Sequence, residues 1–334
     1  QRLDILHIHA CWNYEAAKIA RRAYKEGIAV VVSPHWQLEQ YIRMREQHIS
    51  KVCKTVFYQY NMIHRADAVL VSTPQEQDNL MFLGWNKRCT TVPSSLLNKR
   101  ITSQQMAEAM LSFYQKVIDS RYYKLLTPHE KEAIAALLHV GLQKNSAHRS
   151  LTSNQIQNVR NITPVQWRRI MLYADDEHIR RILDTGIQRM QLAIPAIDAA
   201  SIDRFQRLKK KSSEPLERVQ LLNKRSSLKS KLEWDTKGAE NVIKTICIML
   251  LNIKYHLQKR TLSMYHLTAF YEMLRYEDYD EDKLQEVLNY LNLNKLAARI
   301  IQILSESILL EEGFMPITPL NDKKTRHIRQ LIIH

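Results

Sequence analysis

The motif Ser33-Pro34-His35-Trp36 begins at the last residue of a β-branched, largely apolar run at residues 28–33. Such a run is typical of a strand that is buried on both faces of a parallel sheet. Ligands of open parallel sheets bind outside the carboxyl ends of the strands, where a histidine can orient a phosphate or exchange a proton near neutral pH. His35 is therefore a candidate catalytic residue, with Ser33 and Trp36 beside it as candidate substrate-binding residues. The alternative is a loop histidine without a role in chemistry.

A second histidine motif, His7-x-His9-x-Cys11, lies on an earlier predicted strand. Side chains at i, i+2 and i+4 of a strand face one way, so all three could approach one metal ion. The motif supplies no fourth ligand, and we predict no metal site, with His7 buried in the sheet. His9, at the strand end, is predicted to bind substrate and to line one cleft with His35 if the two strands are adjacent. The alternative is a histidine that is hydrogen-bonded to the backbone.

Strand signals alternate with helix signals in the first hundred residues. Strands are predicted at residues 3–9, 28–33, 68–72 and 90–93, and helices at residues 13–25, 37–64 and 75–82. Strands that alternate with helices of this length indicate βαβ units and a parallel sheet. We predict an α/β fold, a partial Rossmann-like parallel sheet of about four strands that is followed by a mostly α-helical region.

Further candidates lie next to the later predicted strands. Ser72 ends the third strand and Ser94 follows the fourth, and both are predicted to bind substrate. A ligand with phosphate groups would need cationic partners. By their position, Lys87 and Arg88 are the candidates for phosphate binding.

The rest of the chain reads as helical. Four segments are predicted: an α/β segment at residues 1–98, a helical region at 99–203, a basic linker at 204–237 and a helical carboxyl-terminal region at 238–334. The linker holds 11 Lys or Arg against 4 Asp or Glu, a composition typical of a solvated segment. The chain begins at Gln1, almost on a strand, so we expect further sequence to precede it.

Charge and composition restrict the partners. The formal net charge of +15 indicates anionic partners, namely nucleotide phosphates, nucleic acid or an anionic membrane surface. Neither GxGxxG nor GxxxxGK[ST] occurs among the six glycines, so a Gly-rich phosphate loop is absent from the sequence. The four cysteines form no CxxC pair, which suits a reducing compartment. We expect a cytoplasmic protein, because no apolar run has the length of a membrane span.

Two parts of the chain have competing interpretations. Basic residues with interleaved aromatics on the first helices could contact the anionic inner face of a membrane. The alternative is a solvated helical face. The residues are Arg21, Arg22, Lys25, Arg43, Arg45, Lys51 and Lys54, with the aromatics Tyr41, Phe57, Tyr58 and Tyr60. Residues 161–187 have the spacing of a DNA-binding helix-turn-helix. Trp167, Ile170, Ile179 and Leu183 fit a core stripe there instead, and we do not expect nucleic acid as a partner.

In order, the motifs DILHIH, VVVSPH, RADAVLVS and TVPS resemble the second half of the amino-terminal domain of family 4 glycosyltransferases. The resemblance covers residues of about 3–98. It implies the two-domain GT-B fold, with His35 beside the transferred sugar and His9 lining the same cleft. Pro93-Ser94-Ser95 replaces the Pro-Asn-Gly of the family, and no two Glu residues have the Glu-x7-Glu spacing of its second domain.

The resemblance implies transfer of a hexose from a nucleotide diphospho-sugar to a glycan or lipid-linked acceptor in surface polysaccharide synthesis. No cofactor is expected. The alternative is a non-catalytic relative that serves as an interaction or scaffold protein through its helical region.

Overall fold

In a computed structural model, the chain forms two compact units. The structure describes residues 3–9, 11–39, 48–95, 100–144, 151–205, 210–216 and 238–333. One unit comprises Gln1–Lys124 with Ile202–Gln206, and the other Leu125–Ser201 with Arg207–His334. The first carries a four-stranded parallel sheet, and the described part of the second is mostly helical. The predicted fold class is therefore confirmed.

The sheet of the first unit keeps its strands in sequence order. They are β1 (Ile5–Ile8), β2 (Ala29–Val32), β3 (Ala68–Val71) and β4 (Cys89–Thr91). Each strand pairs in parallel with the next, with Ile8 opposite Val32 and Val32 opposite Val69. All four predicted strands are present, and β1 and β2 are adjacent, as a shared cleft for His9 and His35 requires.

Helices connect and cover these strands. They are α1 (Tyr14–Lys25), α2 (His48–Lys54), a π-helix (Thr55–Gln59), α3 (Tyr60–Arg65), α4 (Pro74–Leu83), α5 (Ser103–Ser120) and α6 (Tyr122–Leu125). Gly84 ends α4 in the left-handed region, with a φ of 70°. The helix predicted at residues 37–64 starts too early, because residues 37–39 form turns, and residues 40–47 lie outside the described ranges.

Side chains of the inner strand β2 alternate between two hydrophobic cores, one on each face of the sheet. On one face, Val30 and Val32 pack under α1, the π-helix, α3 and α4. On the other face, Val31 packs against Phe113 and Val117 of α5. Because both faces are covered, β2 is fully buried. The same packing makes α5 part of the first unit, which comprises Gln1–Lys124 and Ile202–Gln206, whereas the α/β segment predicted from the sequence covers residues 1–98.

A buried ion pair fixes the amino-terminal edge of the sheet. Oδ2 of Asp67 accepts the Val30 N–H at 3.0 Å, and Oδ1 lies 3.2 Å from Nε of Arg121. Arg121 also donates to the Gly27 carbonyl at 3.0 Å. Both charged side chains are almost fully buried. The loss of either would therefore leave the other as an unpaired charge in a site of low polarity.

The second unit is built from capped helices. In its described part they are α7 (Pro128–Leu142), α8 (Ser153–Arg160), α9 (Pro164–Asp176), α10 (Arg180–Arg189), α11 (Ala239–Lys259), α12 (Met264–Tyr276), α13 (Glu281–Tyr290), α14 (Asn294–Ser307), a 3-10 turn (Glu312–Phe314) and α15 (Lys323–Ile333). Thr127 and Thr163 head capping boxes with Glu130 and Gln166, as their sequence spacing favours. None of the described helices is long and apolar enough to cross a membrane.

Residues 161–187 belong to the core of this unit. Trp167, Ile170, Ile179 and Leu183 are all buried, which confirms the core stripe. Most of the predicted basic linker, residues 206–209 and 217–237, lies outside the described ranges.

Helices α7 and α10 approach each other through glycines. A Cβ on Gly141 would lie 2.2 Å from the Ile182 carbonyl oxygen, and a Cβ on Gly186 would lie 2.3 Å from that of Leu137. Both distances are far inside van der Waals contact. The backbones are therefore closer than any larger residue permits.

Candidate functional site

His9 and His35 meet at the carboxyl ends of β1 and β2. Nδ1 of His9 lies 3.0 Å from Nε2 of His35, and the two rings stack with centroids 5.3 Å apart. Both side chains are exposed. The structure thus brings together the two histidines that the sequence singled out, at the edge where parallel sheets bind their ligands.

His7 lies beside this pair and is held on both ring nitrogens. Its Nδ1 is 2.8 Å from the Tyr114 hydroxyl, and its Nε2 is 2.8 Å from Oγ of Ser33. Burial, with His9 and His35 nearby, lowers the pKa of His7 to about 4, so His7 is neutral at neutral pH. Ser33 itself is buried. Its hydroxyl therefore faces His7 and not solvent, which differs from the substrate contact predicted for it.

The turn that carries His35 has a constrained backbone. His35 and Trp36 have φ angles of 46° and 66°, which non-glycine residues rarely adopt. Such a conformation costs about 1–3 kcal/mol per residue and persists only where its surroundings hold it. Here Oε1 of the buried Glu76 accepts the Trp36 N–H at 2.6 Å, and Oε2 accepts the Ser72 N–H at 3.2 Å. One carboxylate therefore ties the turn after β2 to the turn after β3.

We expect Glu76→Gln to lower the free energy of unfolding by about 1–3 kcal/mol, because an amide has one acceptor oxygen and leaves one of the two part-buried N–H groups unpaired. Faster hydrogen exchange at Trp36 or Ser72 would accompany this loss, measured together with thermal unfolding. Asp78→Asn, at an exposed position of the same helix, is the matched control. Unchanged exchange at both amides in Glu76→Gln would contradict the assigned role.

The turn after β1 is supported from the π-helix. Trp12 has a φ of 60°. Its N–H donates to Oε1 of Gln59 at 2.7 Å, and its carbonyl accepts the Tyr58 hydroxyl at 2.8 Å. π-Helical turns are rare and occur often at functional sites. The chain that leaves His9 is thus fixed by side chains more than forty residues away in sequence.

The remaining predicted substrate contacts are spread along the same edge. Trp36 is half-buried next to His35, and Ser72 is joined to it through Glu76. Ser94 follows β4, farther along the carboxyl edge.

Lys87 and Arg88 are not brought to this site. Both residues precede β4. The Arg88 carbonyl accepts the N–H of Val69 in the neighbouring strand β3. Because the strands are parallel, residues before a strand lie at the edge opposite to that of His35. The prediction that they bind donor phosphates is therefore not supported by their position.

Two contributors to the site escaped prediction from the sequence. Tyr114 lies on α5, outside the segment thought to carry the site, and its only signal is a polar hydroxyl on a helix face that also holds Phe113 and Val117. Glu76 looks like an ordinary charge in the first turn of a helix, although it is only 2% exposed.

The first unit is expected to lose stability as the pH falls from 6.5 toward 4. The unfolded chain protonates His7 near the ordinary value of 6.5, whereas the folded protein resists protonation down to about 4. The unfolded state therefore binds more protons in this window, and acidification favours it. His9, whose pKa is also lowered, acts in the same direction.

Thermal unfolding of wild type and His7→Gln across this pH range measures the effect, and the variant should show a shallower loss. His64→Gln, which replaces an exposed histidine of the same unit, is the control. Identical slopes for His7→Gln and wild type would contradict the assignment.

The histidines interact through hydrogen bonds. Across the described ranges, no group of three or more His, Cys, Asp or Glu side chains could hold a metal ion. Cys11, the third member of the sequence motif, is buried, and burial raises the pKa of its thiol to about 12. At neutral pH this group is a thiol, which is a poor metal ligand.

Comparison with known proteins gives no match. No family model, no curated protein and no solved structure matches the chain significantly.

Proposed function

We propose that this chain is a glycosyltransferase-like protein in which His35, paired with His9, acts on a sugar donor at the carboxyl edge of the sheet. The observation that supports this most directly is the 3.0 Å contact between His9 Nδ1 and His35 Nε2 on adjacent parallel strands. The resemblance to family 4 enzymes assigns histidines at these two strand ends to the cleft for the donor sugar. The donor is a nucleotide diphospho-sugar, and the acceptor is a hydroxyl of a glycan or a lipid-linked saccharide.

Hexose transfer breaks the bond between the anomeric carbon and a diphosphate oxygen, and it forms a bond to the acceptor oxygen. The acceptor loses a proton, and the nucleoside diphosphate leaves with the bonding electrons. An imidazole can accept or relay that proton near neutral pH. Burial and the nearby His35 lower the pKa of His9, so a neutral His9 orients the His35 ring through their hydrogen bond.

Calorimetry and thermal shift with UDP-glucose, UDP-N-acetylglucosamine and GDP-mannose test the proposal. We expect binding of at least one donor, with a raised unfolding temperature. Lys87→Ala, at the opposite edge of the sheet, should bind like wild type, whereas His9→Ala should bind more weakly. If no donor binds at millimolar concentration, the proposal is wrong for this chain.

A second candidate is a non-catalytic relative that serves as an interaction or scaffold protein through its helical unit. The helical character of the described second unit favours it, because the resemblance implies a Rossmann-like domain with a Glu-x7-Glu motif at that place. Donor binding with turnover supports the first candidate, and the absence of both supports the second.

A further inference from the structure

The segment from α2 through the π-helix to α3 exposes a row of apolar side chains. Ile49, Val52, Val56, Phe57 and Tyr60 are all exposed, and we call them the apolar stripe. Ile49 and Val52 are three residues apart in α2, the spacing of neighbours on an α-helix surface, and Val56 and Phe57 follow in the π-helix and Tyr60 at the start of α3. Ile49, Val56 and Phe57 keep 81%, 71% and 74% of their surface. Large exposed apolar patches on proteins mark surfaces for partners or membranes.

The charges within the segment that carries the apolar stripe have one sign. Residues 47–66 contain no Asp or Glu, and their charged residues are Lys51, Lys54 and Arg65. Long basic side chains can lie along apolar surface and place their charge at its border. Such a surface is complementary to anionic lipid headgroups, whereas a second copy of a chain with a net charge of +15 would be repelled.

We propose that the apolar stripe docks the protein on a membrane that contains anionic lipids. Its side chains enter the boundary between headgroups and acyl chains, and the cations beside them bind the headgroups. The segment would lie in the plane of the membrane surface.

The inward face of the same segment reaches the candidate site. Tyr58 and Gln59 hold the backbone of Trp12, in the turn that follows His9. Docking through the apolar stripe would therefore bring the membrane near the carboxyl edge of the sheet. This link to a lipid-linked acceptor rests on the proposed function, but the docking itself does not.

Sedimentation of the full chain with vesicles, without any sugar nucleotide, tests the docking. One vesicle contains phosphatidylcholine alone, and the other contains phosphatidylcholine and phosphatidylglycerol in equal amounts. We expect binding to the anionic vesicles that weakens with added salt, and much weaker binding to the neutral ones. The Val56→Asp/Phe57→Asp double variant should bind the anionic vesicles at least about tenfold more weakly, because two inserted apolar groups are lost.

Leu111→Asp is the matched control, since Leu111 is 68% exposed on α5, which covers the other face of the sheet. This variant should bind like wild type. A fluorophore on the exposed Cys53, in a Cys89→Ser background, should shift to the blue on anionic vesicles. Both stripe substitutions are at exposed positions, so the unfolding temperature should stay close to that of wild type and shows whether the variant is folded.

Three outcomes would overturn the proposal. They are no binding to anionic vesicles, equal binding by the folded double variant, and a wild-type dimer that the double variant converts to a monomer without vesicle binding. The last identifies a second copy as the occupant. If the protein binds a sugar donor but does not bind vesicles, the proposed function stands and only the docking proposal is wrong.

Discussion

Gly186→Ala is expected to lower the free energy of unfolding of the helical unit by about 3 kcal/mol or more. Alanine in a helix normally gains about 1 kcal/mol over glycine. Here the new methyl carbon would lie 2.3 Å from the Leu137 carbonyl oxygen, so α7 and α10 must separate. Separation would also stretch the bonds from Arg189 to the Val140 and Gln143 carbonyls, now 2.7 and 2.6 Å long.

Chemical denaturation followed by circular dichroism measures this change. Gly313→Ala is the control in the same unit, because a Cβ there meets no atom within 4 Å. It should be neutral or slightly stabilising. A Gly186→Ala variant as stable as Gly313→Ala would show that the two helices are not in backbone contact.

Under the proposed function, His35→Ala is expected to reduce hexose transfer by about 10²–10⁴-fold, the usual effect of losing a general acid or base. Stability should change far less, because the His35 side chain is exposed. His35→Asn separates chemistry from backbone effects, since asparagine tolerates the positive φ of this position better than alanine. Both variants should lose turnover alike.

Steady-state transfer with the donor that binds in calorimetry provides the measurement. His327→Ala replaces an exposed histidine of the second unit and should leave turnover unchanged. Wild-type turnover in both His35 variants would remove this residue from the mechanism while leaving donor binding to be explained by other groups.

The parts of the site that could be predicted depend on local signals. A buried, β-branched run that ends before Pro34 predicts β2 and places His35 just beyond its carboxyl end. The parallel pairing of β1 with β2 then places His9 next to His35. Lys87 and Arg88 show the limit of this reasoning, because nearness to a strand in sequence does not say at which edge of the sheet a residue lies. Their place before β4 was the decisive detail.

Contacts across long separations could not be predicted. His7 meets Tyr114, 107 residues later, and Glu76 meets the Trp36 N–H from 40 residues away. Neither partner stands out in composition or periodicity, since each is an ordinary residue within a helix. The left-handed backbone at His35 was equally hidden, because its surroundings and not its residue type impose it.

The π-helix separates two tasks within one continuous helix. Val52 and Gln59 are seven residues apart, as are Val56 and Ile63, a spacing that places both members of each pair on one side of an unbroken α-helix. Yet both valines are exposed, whereas Gln59 and Ile63 are fully buried. The extra residue of the π turn supplies a rotation of about 100° between the two halves. Deleting one residue from the π-helix would remove this rotation, so Val52 and Val56 could not remain exposed while Gln59 supports the turn at Trp12. One additional residue therefore lets a single helix present apolar side chains on one side and support the candidate site on the other.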